Sequence, residues 1–168
     1  PEDRLAQLEM DTNIPYTPWK KEGLLIATPG AETDYGFVRS HINDTNRESP
    51  IDNIGYDPWN ATHLRRLLME EDGFVMTEVR QGYLGMNEPM KFVKGCIIER
   101  NLVHDGNEML TWNVSNLEAK QDPKENVMPV KPTDGKWKKI DGIVATITGL
   151  AVAMFDDGMG SCYQDESW

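Results

Sequence analysis

Changes in the period of apolar and polar positions mark the elements along this chain. Pro1 to Met10 is acidic and weakly helical, while Leu24 to Thr28 is a short apolar run between Gly23 and Pro29-Gly30, the punctuation expected around a strand. From Asp34 the stripe Phe37, Val38 and Ile42 predicts a helix that fades in the polar segment Asn43 to Ser49. Ile51 to Tyr56, opened by Pro50 and closed by Asp57-Pro58, reads as a strand. A clearer helix follows, with Asn60 as its cap, Ala61, Leu64, Leu67 and Leu68 as its apolar face and Gly73 at its end.

Phe74 to Val79 alternates as a strand does, so Ile51 to Val79 spells strand, helix, strand. A crossover of that length suits a parallel pair and predicts an α/β sheet. Glu88 to about Arg100 predicts another helix, with Pro89 in its first turn, where proline is tolerated. Leu110 to Val114 and Leu117 to Gln121 read as a hairpin or an extended loop. The last strong element is Ile140 to Phe155, where Ile140, Ile143, Val144, Ile147, Leu150, Ala151 and Met154 are helically spaced, and this helix should pack deeply against the sheet. There is no repeat, low-complexity tract or Gly/Ser linker, which fits one folded unit.

Composition adds limits. The chain has 168 residues and a formal net charge of -11, from 17 Lys plus Arg against 28 Asp plus Glu, so a surface that is basic all over is excluded. A local nucleic-acid site is not, because carboxylates can be metal ligands and a bound divalent ion reverses the local field. The longest apolar stretch, Ile143 to Phe155, is broken by Thr146, Thr148 and Gly149 and falls short of the roughly 20 residues a membrane helix needs. No signal peptide is visible. Cys96 and Cys162 lie far apart with no CxxC spacing, which suggests neither a disulfide framework nor a zinc knuckle and makes reduced cytosol the simplest compartment. The opening Pro1-Glu2-Asp3-Arg4, without an initiator Met, suggests an excised piece of something longer.

Few residues offer chemistry. Asp57 ends a strand, and in open α/β sheets ligands meet the carboxyl ends of strands; equally, Asp57-Pro58 is a turn starter feeding the next helix. Asp141 opens an apolar helix, where a first-turn carboxylate is favoured simply as a cap. Beside it Gly142, a poor helix former, points to close backbone approach. Together the two carboxylates suit Mg²⁺ or Mn²⁺, hard cations that take oxygen ligands and leave positions open for phosphate. His41, His63 and His104 share no metal spacing, and His104 reads either as a hydrogen-bonding loop residue or as a phosphate contact. Lys131, Lys136, Lys138 and Lys139 precede Asp141, either as a solvated loop or as a cluster drawing a phosphodiester toward it. There is no nucleophile elbow, P-loop or dinucleotide fingerprint, which disfavours a small metabolic α/β enzyme.

Several strings then combine. Tyr16 to Gly30 before Asp34-Tyr35, Tyr56-Asp57-Pro58-Trp59-Asn60-Ala61, Arg80-Gln81-Gly82-Tyr83, Met86-Asn87-Glu88-Pro89-Met90-Lys91, His104 to Asn116 and Lys139-Ile140-Asp141-Gly142-Ile143-Val144-Ala145 occur in this order. The series resembles the C-terminal nuclease domain of tailed-phage terminase large subunits of the HK97 type, over nearly the whole chain up to about Phe155. The resemblance implies an α/β, RNase H-like mixed sheet flanked by helices, lacking its first strands, with residues 1–168 forming the C-terminal part of a longer polypeptide. It also implies a metal-dependent endonuclease that cuts concatemeric viral DNA. Asp57 and Asp141 match the family's strand-end and helix-start metal aspartates, with two Mg²⁺ or Mn²⁺ ions expected.

The implied partners are double-stranded viral DNA, the small terminase subunit, the portal protein and an N-terminal ATPase domain through which alone ATP would enter. No membrane is among them. The implied setting is the host cytoplasm, transiently at the procapsid portal. The family's first metal aspartate lies on a strand that would precede Pro1, so this chain alone is expected to hold at most part of the metal site and to be inactive unless the missing strands come from another segment. The wording Lys131-Pro132-Thr133-Asp134-Gly135-Lys136 and Gly106-Asn107-Glu108 departs from the family's commoner pattern. The runner-up expectation is a non-catalytic RNase H-like module that docks DNA, the portal or the small subunit.

Overall fold

The computed structural model describes residues 1–59, 62–133 and 135–156, the side chains of 155 and 156 excepted. A 3-10 turn, Glu2–Arg4, leads into helix α1, Leu5–Thr12, and helix α2, Tyr16–Lys21, follows. Ile14, Tyr16 and Trp19 form a small buried cluster with Leu5, Leu8, Leu24, Leu25, Met109 and Trp112 packed on it. The Trp19 and Trp112 rings lie 5.4 Å apart, fastening this N-terminal layer to a helix more than ninety residues onward. The strand expected at Leu24 to Thr28 does not form. Leu24 and Leu25 both donate their N–H groups to the Trp19 carbonyl and both pack on the Trp19 cluster, whereas a strand would send consecutive side chains to opposite faces.

Helix α3 spans Tyr35–Glu48, capped by Asp34, whose Oδ1 accepts from the N–H groups of Gly36 at 2.8 Å and Phe37 at 3.1 Å. It runs past Asn43, where polarity suggested fading. Arg39, midway along it, is clamped by Asp72 and Glu71. Strand β1, Ile54–Tyr56, and strand β2, Met76–Glu78, are joined through helix α4, Thr62–Glu70, and pair in parallel with Ile54 opposite Met76. The crossover unit is thus present, although the cap expected at Asn60, with Ala61, lies outside the described residues, as does Cys162.

Helix α5 spans Tyr83–Ile98, starting five residues before the expected Glu88. Pro89 therefore sits inside it rather than in its first turn. Burial of Met86, Met90 and Val93, spaced one and two turns apart, holds the early turn helical despite two glycines and a proline. Residues Leu110 to Val114 belong to helix α6, Glu108–Ser115, and not to a hairpin or loop; Asn107 caps it by accepting from the Leu110 N–H at 2.9 Å. Strand β3, Glu118–Gln121, pairs antiparallel with strand β4, Val127–Val130, around a turn in which Asp122 Oδ1 accepts from Lys124 and Asn126 N–H groups.

Helix α7, Asp141–Asp156, lies in the centre. Its Ile143, Ile147, Ala151 and Val152 form the main core with Val79, Met86, Met90, Val93 and Ile140. Against β1 the approach is very close: a Cβ added at Gly55 would stand 2.8 Å from both Thr148 Cγ2 and Val152 Cγ2. Glycine is what lets the helix lie on the strand. No helix among the described residues is long and apolar enough to cross a membrane.

Candidate active site

Two elements far apart in sequence meet at this glycine, and each carries one of the two aspartates. Asp57 follows the last residue of β1; Asp141 is the first residue of α7. Both line one open cleft of about 530 Å³, together with Asn53, Gln81 and Thr148. Asp57 is half-buried and Asp141 exposed. Asp57 also accepts the Trp59 N–H on Oδ1 at 3.2 Å, so it serves the turn and faces the cleft at once. The two readings of this residue are compatible, since a carboxylate has acceptor capacity for both.

The start of α7 is held from outside the helix. Buried Asn113 on α6 accepts the Gly142 N–H at 2.9 Å on Oδ1 and donates through Nδ2 to the Met109 carbonyl at 2.9 Å. This contact satisfies one of the N–H groups a helix start leaves without an internal partner. Gly142 is not required by crowding, because an added Cβ would meet Asn113 and Leu110 only at an ordinary 3.5 Å. Buried Asn116 adds a second tie by donating to the Lys139 carbonyl at 3.0 Å.

Sequence reading passed over the polar lining. Gln81 donates to the Val79 carbonyl at 3.2 Å and to Thr148 Oγ1 at 3.3 Å, bridging β2 to α7 across the cleft. Asn53 and Thr77 exchange hydrogen bonds at 3.0 and 3.1 Å. Gln81 stood in the string Arg80-Gln81-Gly82-Tyr83, where a polar residue just past a strand was the available signal.

The remaining candidates lie elsewhere. His104, exposed in the loop between α5 and α6, accepts the Gly106 N–H on Nδ1 at 3.0 Å and is not among the cleft-lining residues. Lys131, Lys136, Lys138 and Lys139 are exposed on the segment that leads into α7, and none lines the cleft; Lys136 stacks its ammonium 4.9 Å from the Trp137 ring. The donor chemistry of the cleft, two carboxylates and neutral amide or hydroxyl oxygens, suits a hard cation. Among the described residues, however, no group of three or more His, Cys, Asp or Glu could hold a metal ion. Asp57 and Asp141 alone would supply two carboxylate ligands at most.

The architecture is a mixed α/β fold in which helices surround a parallel and an antiparallel pair of strands. A profile described as terminase large subunit, endonuclease domain, matches residues 1–157, and the chain belongs to that family. Protein YmfN of Escherichia coli (strain K12) is 36% identical over 141 residues, which cover 83% of this chain and 30% of that protein. The terminase large subunit of Enterobacteria phage HK97 is 25% identical over 157 residues, covering 91% of this chain and 30% of the relative. The crystal structure of the HK97 large terminase superposes with a TM-score of 0.78 at 24% identity, over 89% of this chain and 31% of that one. The chain thus spans about a third of the length of the relatives it matches.

Proposed function

We propose that this chain is the DNA-cutting part of a viral genome-packaging terminase, a divalent-metal-dependent endonuclease acting on concatemeric double-stranded phage DNA. The observation that carries this reading is the shared cleft of Asp57 and Asp141, two carboxylates on rigid elements locked together where α7 rests on Gly55. Mg²⁺ or Mn²⁺ held by these two residues, with further ligands, would supply Lewis-acid stabilisation of the phosphodiester and a water acidic enough to attack it. The chain's own contribution is positioning. The Trp59 N–H fixes one oxygen of Asp57, Asn113 fixes the helix start that presents Asp141, and Gln81 offers an amide to the cleft.

In this reading the acidity of the chain is partly the site's own. DNA affinity then rests on bound cations, on Lys131, Lys136, Lys138 and Lys139, and on the partners of the full motor, namely the ATPase domain, the small subunit and the portal. The setting would be the host cytoplasm, at the procapsid portal during packaging. A second reading, a non-catalytic module that docks DNA or a motor partner, is favoured by one observation: the carboxylate set among the described residues is short of three.

Asp57→Asn and Asp141→Asn in the full-length polypeptide separate the two. Each should abolish Mn²⁺- or Mg²⁺-dependent cleavage of plasmid DNA while leaving the circular dichroism spectrum unchanged. Full cleavage by either variant would sink the assignment of Asp57 and Asp141 as the cutting site, and the absence of both cleavage and carboxylate-dependent Mn²⁺ binding in the wild type would favour the docking module.

A further inference from the structure

Asp57 belongs to two clefts. On its other side lies a pocket of about 440 Å³ between α3, α4 and the end of β1, a size within the roughly 300–1,000 Å³ of ligand sites. Its rim carries Tyr35, 54% exposed, and Trp59, 80% exposed. Both rings are largely exposed to solvent, and both line this one opening. The wall carries His63 and Arg65, whose guanidinium carbon lies 5.6 Å from the centre of the Tyr56 ring. Arg65 forms no salt bridge with a described carboxylate; its guanidinium contacts Met69 Sδ at 3.5 Å and the face of Tyr56. Two exposed aromatic rings, an Arg without an acidic partner and an imidazole suit an aromatic, anionic ligand: a nucleobase with its phosphate.

We propose that this pocket receives one unstacked base of the DNA strand whose neighbouring phosphate lies in the Asp57–Asp141 cleft, with Trp59 and Tyr35 as the stacking surface and Arg65 and His63 meeting the unstacked nucleotide's own phosphate. The inference rests on the nuclease reading above and deepens it. Continuity is the argument for DNA over a peptide: the pocket and the carboxylate cleft join at Asp57, so a polymer with a phosphate in one presents its next nucleotide to the other. Every base has a π-face, so such a subsite holds the strand without reading its sequence.

The test uses the full-length polypeptide, Ca²⁺ to support binding without turnover, and fluorescent duplexes carrying a single-stranded gap, with or without an abasic nucleotide in the gap. Trp59→Ala should weaken binding of the intact gapped duplex by about tenfold and remove the preference over the abasic one. Arg65→Gln should weaken both and lower the salt slope by about one. Phe92→Ala, at an exposed aromatic on the distant α5, should change neither.

Wild-type affinity with an undiminished preference for the intact base in both Trp59→Ala and Arg65→Gln overturns the proposal. So does equal binding of intact and abasic duplexes by the wild type. Because Trp59 is exposed, its loss should leave the spectrum of the folded protein unchanged, and Arg65→Gln gives an independent reading. Asp57→Asn distinguishes the two layers: if that variant still cuts while Trp59→Ala binds weakly, the assignment of the Asp57–Asp141 cleft as the cutting site falls and the base pocket stands. If Asp57→Asn is dead and Trp59→Ala binds normally, the reverse holds.

Discussion

Gly55→Ala is the most direct probe of how the site is built. The added Cβ would lie 2.8 Å from Thr148 Cγ2 and Val152 Cγ2 and 3.1 Å from the Thr148 carbonyl oxygen. Carbon atoms pack best at about 3.5–4.0 Å, so α7 would have to withdraw from β1 by roughly 0.7–1.2 Å. Overpacking of this kind costs about 1–3 kcal/mol. For a domain of this size that is a fall of roughly 2–12 °C in Tm, read by circular dichroism melting. The same displacement moves Asp141 relative to Asp57, and a misplacement near 1 Å can cost about a hundredfold in rate.

The cause can be separated from a general strand effect. Thr148→Ser and Val152→Ala remove the two methyl groups that the new Cβ meets, and the serine retains the hydroxyl that accepts from Gln81. In those backgrounds Gly55→Ala should cost less, with a coupling energy of about 0.5–3 kcal/mol in the double-mutant cycle. If Gly55→Ala melts within about 0.5 kcal/mol of the wild type, or costs the same with and without the methyl groups, the close-packing account is wrong.

Further outcomes are expected from the ties around this centre. Asn113→Ala should destabilise the protein by about 1–2 kcal/mol, because it strands the Gly142 N–H and the Met109 carbonyl, and should impair metal-dependent cleavage without touching either aspartate; a denaturant midpoint equal to the wild type would refute it. Asp72 is held below the usual carboxylate range, first of all by its hydrogen bonds from Arg39 at 2.6 and 2.7 Å. Its contribution to stability is therefore complete above the unfolded-chain pKa of about 3.9 and is lost as pH falls through the lower folded value. Asp72→Asn should flatten the acid limb of a urea-midpoint profile, below the unfolded-chain carboxylate pKa of about 3.9. An unchanged limb would show that the Arg39 clamp is not what acid breaks.

Local patterns carried much of the architecture. Periodicity located α3, α4, α7 and the two parallel strands, because each buries one face and its sequence repeats with the element. The early start of α5 was hidden: Gly82-Tyr83-Leu84-Gly85 is a poor helix sequence, and only burial of Met86 against the core makes it helical. Helix α6 is ambiguous in the sequence: Asn107 before an apolar run is a cap signal, but Leu110 to Val114 is also short enough to be a strand. Leu24-Leu25 misled for the opposite reason. Two adjacent leucines look like a strand until both are seen packed on Trp19.

For the site, the sequence by itself determined the identities: a carboxylate at a strand end, another at the head of an apolar helix, and an ordered series of strings that named the family. Tertiary structure decided which of the candidates share a space. Asp57 and Asp141 are brought to one cleft because Gly55 has no Cβ and α7 can lie directly on β1, while His104 and the four lysines are exposed on loops and are not among the residues that line it. Gln81, Trp59 and Arg65 gain their meaning in the same way. Local propensity acts over a few residues, whereas a binding surface is made by side chains that only the packing of distant elements sets side by side.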